Sequence, residues 1–262
     1  MAATDPERDP PMPTDVTAAA HALLEARRTR QWLSALPEGA RPQNAAEVVE
    51  IQALVAAQLG PIAGWKVGAA SPTAEPSGVP LHARNLRFDA TPYAAADFNV
   101  TAIEAEVGYR LGADLPPRET PYTREAVLAA VETMHATIEI VDTRFTALHV
   151  TDPLSHTADQ ANHGALVVGP AVEDWRRIEP TKLPVTLRFN GEVAVQHVGG
   201  NTAGDPVRLL LWLANGGAHR YGGLKAGMVV TTGSCTGLLT VPAGTVVQAV
   251  FDGFGSVETT IA

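Results

Sequence analysis

Glu104 and Glu106 sit one residue apart in a stretch, Asn99 to Leu111, that alternates strictly. Ile103, Ala105, Val107, Tyr109 and Leu111 fall on one side, and Glu104, Glu106, Gly108 and Arg110 on the other. Period two predicts a β-strand whose two carboxylates project from the same face. Such a pair repels itself unless a cation lies between, and oxygen ligands of this kind suit Mg²⁺, Mn²⁺ or Ca²⁺. Taken alone, the pair reads first as a half-buried strand showing its polar face to water.

A third carboxylate, Glu139, stands between Ile138 and Ile140 in a second extended stretch, 137–145. Burying it unpaired would be costly, so it needs a partner. Arg144 is one candidate. The other is a cation shared with Glu104 and Glu106, the three forming an oxygen set that leaves room for water and substrate. Lys66 lies in the short glycine-bounded stretch Gly64 to Gly68, flanked by Trp65 and Val67. It reads as a snorkelling side chain, as a buried amine of lowered pKa, or as a cation that holds a carboxylate. The polar run Asp159-Gln160-Ala161-Asn162-His163-Gly164 precedes a short apolar strand, so Gln160 and Asn162 can line a pocket; a plain loop fits as well. The small-residue run Gly233 to Gly237, with Thr236 in it, lets a ligand approach the backbone closely. Cys235, the single cysteine, reads as a packing residue: no nearby His or Asp would activate it.

These residues need a scaffold, and the composition provides for one. The chain has 262 residues, of which 45% are hydrophobic, enough for one packed domain with a helical appendage. Its net charge is −9 with no basic cluster, which argues against nucleic-acid binding. A lone cysteine excludes an internal disulfide and fits a reducing compartment. No apolar run is long enough for a bilayer, and the amino terminus lacks the basic start and apolar stretch of a secretory signal. A soluble, cytoplasmic protein is expected.

Residues 1–13 are proline- and charge-rich and read as a disordered tail. Residues 14–62 read as an N-terminal helical subdomain, and 63–262 as the domain that carries the carboxylates. The first helix is expected from a Thr14 or Asp15 cap to about Leu36. The second has Asn44 at its cap, Glu47 three residues on, and ends at Gly60-Pro61. Residues 70–98 hold four prolines and read as a long loop with one short strand. A helix is expected over Thr123 to about Ala136, with His135 near its end. Asn190-Gly191 between two alternating runs predicts a hairpin. Asp205-Pro206 opens a helix with a stripe of Val207, Leu210, Leu211, Ala214 and Ala218. The last forty residues alternate in β fashion.

In order, the chain shows Gly64-Trp-Lys-Val-Gly68, Ile103-Glu-Ala-Glu-Val107, Glu139-Ile-Val-Asp-Thr-Arg144 and Gly200-Asn-Thr-Ala-Gly-Asp-Pro206. Leu211-Trp-Leu-Ala-Asn215, Gly223-Leu-Lys-Ala-Gly227 and Phe254-Gly-Ser-Val257 complete the series. This series, over residues 15–262, resembles the 2-keto-4-pentenoate hydratase / 2-oxohepta-3-ene-1,7-dioate hydratase / 4-oxalocrotonate decarboxylase family of the fumarylacetoacetate hydrolase superfamily. The resemblance implies an α+β fold, a mixed β-roll with flanking helices. It implies Mg²⁺ or Mn²⁺ held by Glu104, Glu106 and Glu139, and an active-site lysine at Lys66. It also implies a cytoplasmic homo-oligomer acting on a small 2-oxo or 2-hydroxy acid in aromatic-compound degradation. The expected reaction is hydration of a 2-hydroxy-2,4-dienoate. Decarboxylation of a 2-oxo-3-enedioate, C–C hydrolysis, and a non-catalytic oxo-acid-binding subunit are the alternatives. Two stretches depart from the family pattern. An acidic pair is missing from Gly78-Val-Pro-Leu-His-Ala-Arg84, and Asp-Asn-Ala-Ser-Ser-Gly becomes Asp159 to Gly164. His82 and His163 are the candidates to stand in for the lost acid/base groups.

Overall fold

The computed structural model describes residues 13–262, so the expected tail lies, but for Pro13, outside the described residues. Among the described residues, twelve strands and five α-helices follow one another. The first part runs α1 (Val16–Thr29), α2 (Ala45–Leu59), β1 (Ile62–Gly68), β2 (Ser77–His82), β3 (Leu86–Arg87), β4 (Ala102–Leu111), α3 (Arg124–Ala130) and β5 (Val131–Val141). The second part runs α4 (Pro153–Ala158), β6 (His163–Val168), β7 (Pro184–Phe189), β8 (Glu192–Val198), α5 (Pro206–Trp212), β9 (Val229–Ser234), β10 (Leu239–Thr240), β11 (Thr245–Phe251) and β12 (Gly255–Ile261).

The larger sheet has eight strands in the order β2-β1-β9-β4-β5-β6-β3, with β10 also on β4. It is mixed: β1 and β9 are parallel, as are β3 and β6, and the other pairings are antiparallel. The smaller sheet, β12-β11-β7-β8, packs against it. Ile103, Ala105, Val107, Tyr109 and Leu111 of β4 enter the core between the sheets, with Ile138, Ile140, Leu187, Val247, Phe251 and Ile261. Alternation then forces Glu104, Glu106 and Glu139 onto the opposite face. The architecture is the expected α+β mixed β-roll.

The helices α1 and α2 build a cluster of their own from Ala19, Leu23, Val48, Ile51 and Val55, closed by Leu36 and Phe145. The Asp15 carboxylate caps α1 by accepting from the Ala18 amide, and Asn44 caps α2 by accepting from Glu47. The expected division after residue 62 falls one residue inside β1.

Three expected elements differ. Helix α1 stops at Thr29 instead of continuing to Leu36. Arg30 adopts a left-handed conformation (φ 59°), and Leu33 pairs with Phe145, which draws the chain out of the helix. The helix from Thr123 stops at Ala130, and residues 131–136 belong to β5, because ladder pairing with β4 runs from Val141 back to Val131. Val131 and Met134 are thus buried from a strand, and His135 is a buried strand residue and no surface helix end. In α5 Leu209 shares the buried face with Pro206, Leu210 and Leu213 at helical spacing, and Leu211, expected in the stripe, is only half-buried; a π-helical turn follows at Leu213–Gly217. The hairpin is as expected: Asn190 (φ 52°) and Gly191 (φ 85°) both take the positive φ of a tight two-residue turn.

Candidate metal centre

Register brings the carboxylates together. Glu104 pairs directly with Glu139 across β4 and β5, and Glu106 pairs with Thr137. Ligand oxygens of Glu104, Glu106 and Glu139 all lie within 4.8 Å of one another. Glu106 and Glu139 are fully buried, and Glu104 is half-buried at the open side. The polar-face reading of this strand therefore does not hold.

Each buried carboxylate is held by one oxygen. Glu106 Oε2 accepts from the Thr231 hydroxyl and, at 3.0 Å, from the Gly233 amide. Glu139 Oε1 accepts from Lys66 Nζ at 2.9 Å and from His163 Nδ1 at 2.9 Å. The other oxygens, Glu106 Oε1 and Glu139 Oε2, are buried without a partner among the described residues. Two orphaned carboxylate oxygens within one ion's reach of a third carboxylate are what a hard divalent cation would satisfy. The residues present fit Mg²⁺ or Mn²⁺.

Lys66 arrives from β1. At Gly64 a Cβ would stand 2.2 Å from the Val229 carbonyl oxygen, so only glycine allows β1 to run this close to β9. Burial works against the Lys66 ammonium, but Glu139, Glu104 and Glu106 together outweigh it, and its pKa lies above the ordinary lysine value. With the three glutamates alone beside it, Lys66 fits the reading of a cation that holds a carboxylate. Burial raises Glu139 most strongly, yet Lys66 and His163 bring it below the usual carboxylate value. Burial, then Glu139 and Glu104, push Glu106 up to about 8. Burial also raises Glu104, and it lowers His163. Arg144, the alternative partner for Glu139, turns instead to Asp142 and Asp159.

The 159–164 segment reaches the site through its backbone. Gln160, Ala161 and Asn162 carry φ of 48°, 49° and 58°, three consecutive left-handed residues. Such residues cost about 1–3 kcal/mol each and need external restraint. Arg144 supplies it: Nε and the backbone amide donate to the Asp159 carboxylate at 2.5 and 2.8 Å, and Nη2 donates to the Asp159 carbonyl at 3.0 Å. The turn aims the Ala161 carbonyl at Lys66 Nζ, 3.2 Å away. The Gln160 side chain donates to the Gln52 carbonyl on α2, and the Asn162 side-chain oxygen faces His156 at 3.3 Å. Thr236 Oγ1 accepts from the Ala105 amide at 3.1 Å, so it pins the strand between Glu104 and Glu106. His82 donates from Nδ1 to the Gly60 carbonyl at 2.9 Å. Sequence reasoning missed Thr231 and Ser234. Ser234 is the register partner of Glu106 on β9. Cys235 is buried and its thiol is pushed up to about 12, in keeping with a packing role.

Three converging carboxylates beside an ammonium, on a mixed β-roll, can hold a divalent cation. Residues 71–262 match the model of the fumarylacetoacetate (FAA) hydrolase C-terminal family, and the chain belongs to that family. It is 27% identical over 254 residues to a 2-keto-4-pentenoate hydratase of Paraburkholderia phymatum, covering 93% of this chain and 96% of that one. It is 30% identical over 132 residues to a 4-oxalocrotonate decarboxylase of Pseudomonas putida, half of each chain. Among solved structures, the 4-oxalocrotonate decarboxylase of Pseudomonas putida G7 complexed with magnesium and adipate superposes with a TM-score of 0.82 at 23% identity. That match covers 94% of this chain and 97% of the other. The enzyme class is that of the metal-dependent lyases, and curated relatives include both hydratases and decarboxylases. No helix among the described residues is long and apolar enough to cross a membrane.

Proposed function

We propose that the protein is a divalent-metal-dependent hydratase acting on a 2-hydroxy-2,4-dienoate of the 2-keto-4-pentenoate type. The observation that carries this reading is the convergence of Glu104, Glu106 and Glu139 beside the Lys66 ammonium. When bound by these three glutamates, Mg²⁺ or Mn²⁺ supplies Lewis acidity toward the carboxylate and 2-oxygen of such an acid. Lys66 contributes a second positive charge, fixed by Glu139 and the Ala161 carbonyl, where an anionic substrate must sit. In the overall change the 2-hydroxyl loses its proton, C5 gains one, and water adds to C4 of the resulting 2-oxo-3-enoate. The product is a 4-hydroxy-2-oxo acid. Gln160, Asn162 and Thr236 take part by holding the backbone that borders Lys66 and the glutamates. His163 orients Glu139, and His82 stands in the stretch that lacks the acidic pair.

The similarity to a 4-oxalocrotonate decarboxylase supports one second reading, decarboxylation of a 2-oxo-3-enedioate through the same site. The family resemblance further supports a cytoplasmic homo-oligomer in aromatic-compound degradation. The test is loss of ultraviolet absorbance of 2-hydroxypenta-2,4-dienoate with Mg²⁺, and its abolition by chelator. Formation of 4-hydroxy-2-oxopentanoate supports hydration. Carbon dioxide release from an oxo-enedioate without hydration of the dienoate transfers the assignment to the decarboxylase. Two carbon fragments point to a hydrolase. Tight metal binding without turnover of any of these acids contradicts the enzymatic reading.

A further inference from the structure

Outside the glutamate cluster, a cavity of about 630 Å³ opens between α1, the 84–98 segment and the ends of β5 and β6. Neither Lys66 nor any of the three glutamates lines it. Its wall carries Arg27, Arg28, Arg30, Arg84 and Arg87, in a chain whose net charge is −9. Some of this charge is already matched. Arg28 pairs with Glu25, and Arg30 with Asp97. The carboxylate of Asp142 accepts from the Asn99 and Val100 amides, with Arg144 beside it. Three guanidinium groups remain without a carboxylate in ion-pair contact among the described residues. Arg87 donates only to the Thr91 and Pro92 carbonyls, and its guanidinium stacks 3.6 Å over the Tyr93 ring. Arg27 and Arg84 donate no hydrogen bond to any described residue.

Arg27 is half-buried on the inner side of α1. Burial and then repulsion from Arg144 push its pKa down to about 9, so the fold holds this charge at a cost. A desolvated guanidinium demands a counter-ion, and its planar fork matches carboxylate and phosphate oxygens. The carboxylates of Asp159 and Asp142 offset part of this cost, and Arg84, on the same cavity wall, adds a smaller repulsion that an anionic ligand would relieve.

We propose that this arginine-lined cavity is a binding site for a small polyanion, a dicarboxylate or a phosphate compound, separate from the metal centre. Arg27 and Arg84 bind its anionic oxygens, and Arg87 with Tyr93 forms the wall beside them. The floor is the Asp142 end of β5 and Gly164-Ala165 of β6, the two strands that also carry Glu139 and His163. The site is thus placed to report on the catalytic one without overlapping it.

Isothermal titration of the Mg²⁺-loaded protein with glutarate, and separately with inorganic phosphate, tests this. In the Glu106→Gln protein, whose metal centre is disabled, one saturable site per chain is expected for at least one probe, and the probe that binds there identifies the anion class. Arg84→Gln alone, at an exposed position, should weaken binding about tenfold or more, the loss of a charge-assisted hydrogen bond. Arg27→Gln/Arg84→Gln should abolish it, while Glu106→Gln should leave it intact. Circular dichroism confirms that each variant is folded. The proposal is overturned if neither probe saturates, if the arginine variants bind like the parent, or if binding is lost only in Glu106→Gln. It is also overturned if the double variant changes the oligomeric mass with binding unchanged, which would make the cavity an interface between copies.

Discussion

Lys66 Nζ and Glu139 Oε1 lie 2.9 Å apart, and the same glutamate oxygen is 2.9 Å from His163 Nδ1. One carboxylate oxygen is thereby fixed by two donors, while the other is buried without a partner among the described residues. This fixes the orientation of a ligand oxygen before any ion arrives, at a residue reached by a ladder pairing and not by local sequence.

Lys66 acts as a charge. Lys66→Gln should lower kcat about 10²–10³-fold with the fold intact, the size of an electrostatic contribution removed from a water-poor site. Steady-state kinetics on the dienoate, with circular dichroism as control, measure this. Activity near the parental level would remove Lys66 from the mechanism.

His163 holds Glu139 from the other side. His163→Ala should destabilise the protein by about 1.5–3 kcal/mol, because a buried hydrogen bond to a charged group is lost. Urea unfolding reads the change directly. An unchanged midpoint would show that Lys66 suffices to anchor Glu139.

Arg144, 1% exposed, ties Asp142 and Asp159 together and so restrains the left-handed turn at 160–162. Arg144→Met leaves two buried carboxylates without their cation. A loss of about 3–5 kcal/mol in chemical denaturation is expected. A loss below about 1 kcal/mol, the scale of an exposed ion pair, would contradict this role.

His82 and His135 predict the direction of the acid response. Burial lowers both below the ordinary value of 6.5. The Gly169 carbonyl at 2.8 Å keeps the proton on Nδ1 of His135, and its Nε2 accepts from Thr133. Protonation therefore favours the unfolded chain. Their neutral forms stabilise fully above pH 6.5, and stability falls as the pH drops from there toward the lowered folded values. Glu106, raised to about 8, gives the opposite slope over this window, so the histidine contribution is read as a difference: between pH 7.5 and 5.5 the denaturation midpoint of the parent should drop more, or rise less, than that of His82→Gln/His135→Gln. An equal slope in the double variant would assign the acid response to other groups.

Much of this site is legible in the sequence. Strict alternation places Glu104 and Glu106 on one face, and a carboxylate between two isoleucines marks Glu139 as partnered. What the sequence does not carry is register. Nothing local says that Glu139 falls opposite Glu104, or that Ser234 falls opposite Glu106. The sign of the Lys66 shift depends on three glutamates arriving from two strands, so a lowered pKa was the reasonable local expectation and the raised one is a tertiary result. Val127, Leu128, Val131 and Met134 fit a helix by spacing, but β4 pairing claims the chain from Val131 onward. His163 reads as a loop residue until Arg144 and the left-handed turn are seen to direct it at Glu139.

Electron paramagnetic resonance of a Mn²⁺ titration tests the three-glutamate centre without recourse to turnover. One tightly held Mn²⁺ per chain, displaced by excess Mg²⁺ and lost in both Glu106→Gln and Glu139→Gln, is the predicted result. Mn²⁺ bound as tightly by those variants as by the parent chain, or not bound at all, would contradict it.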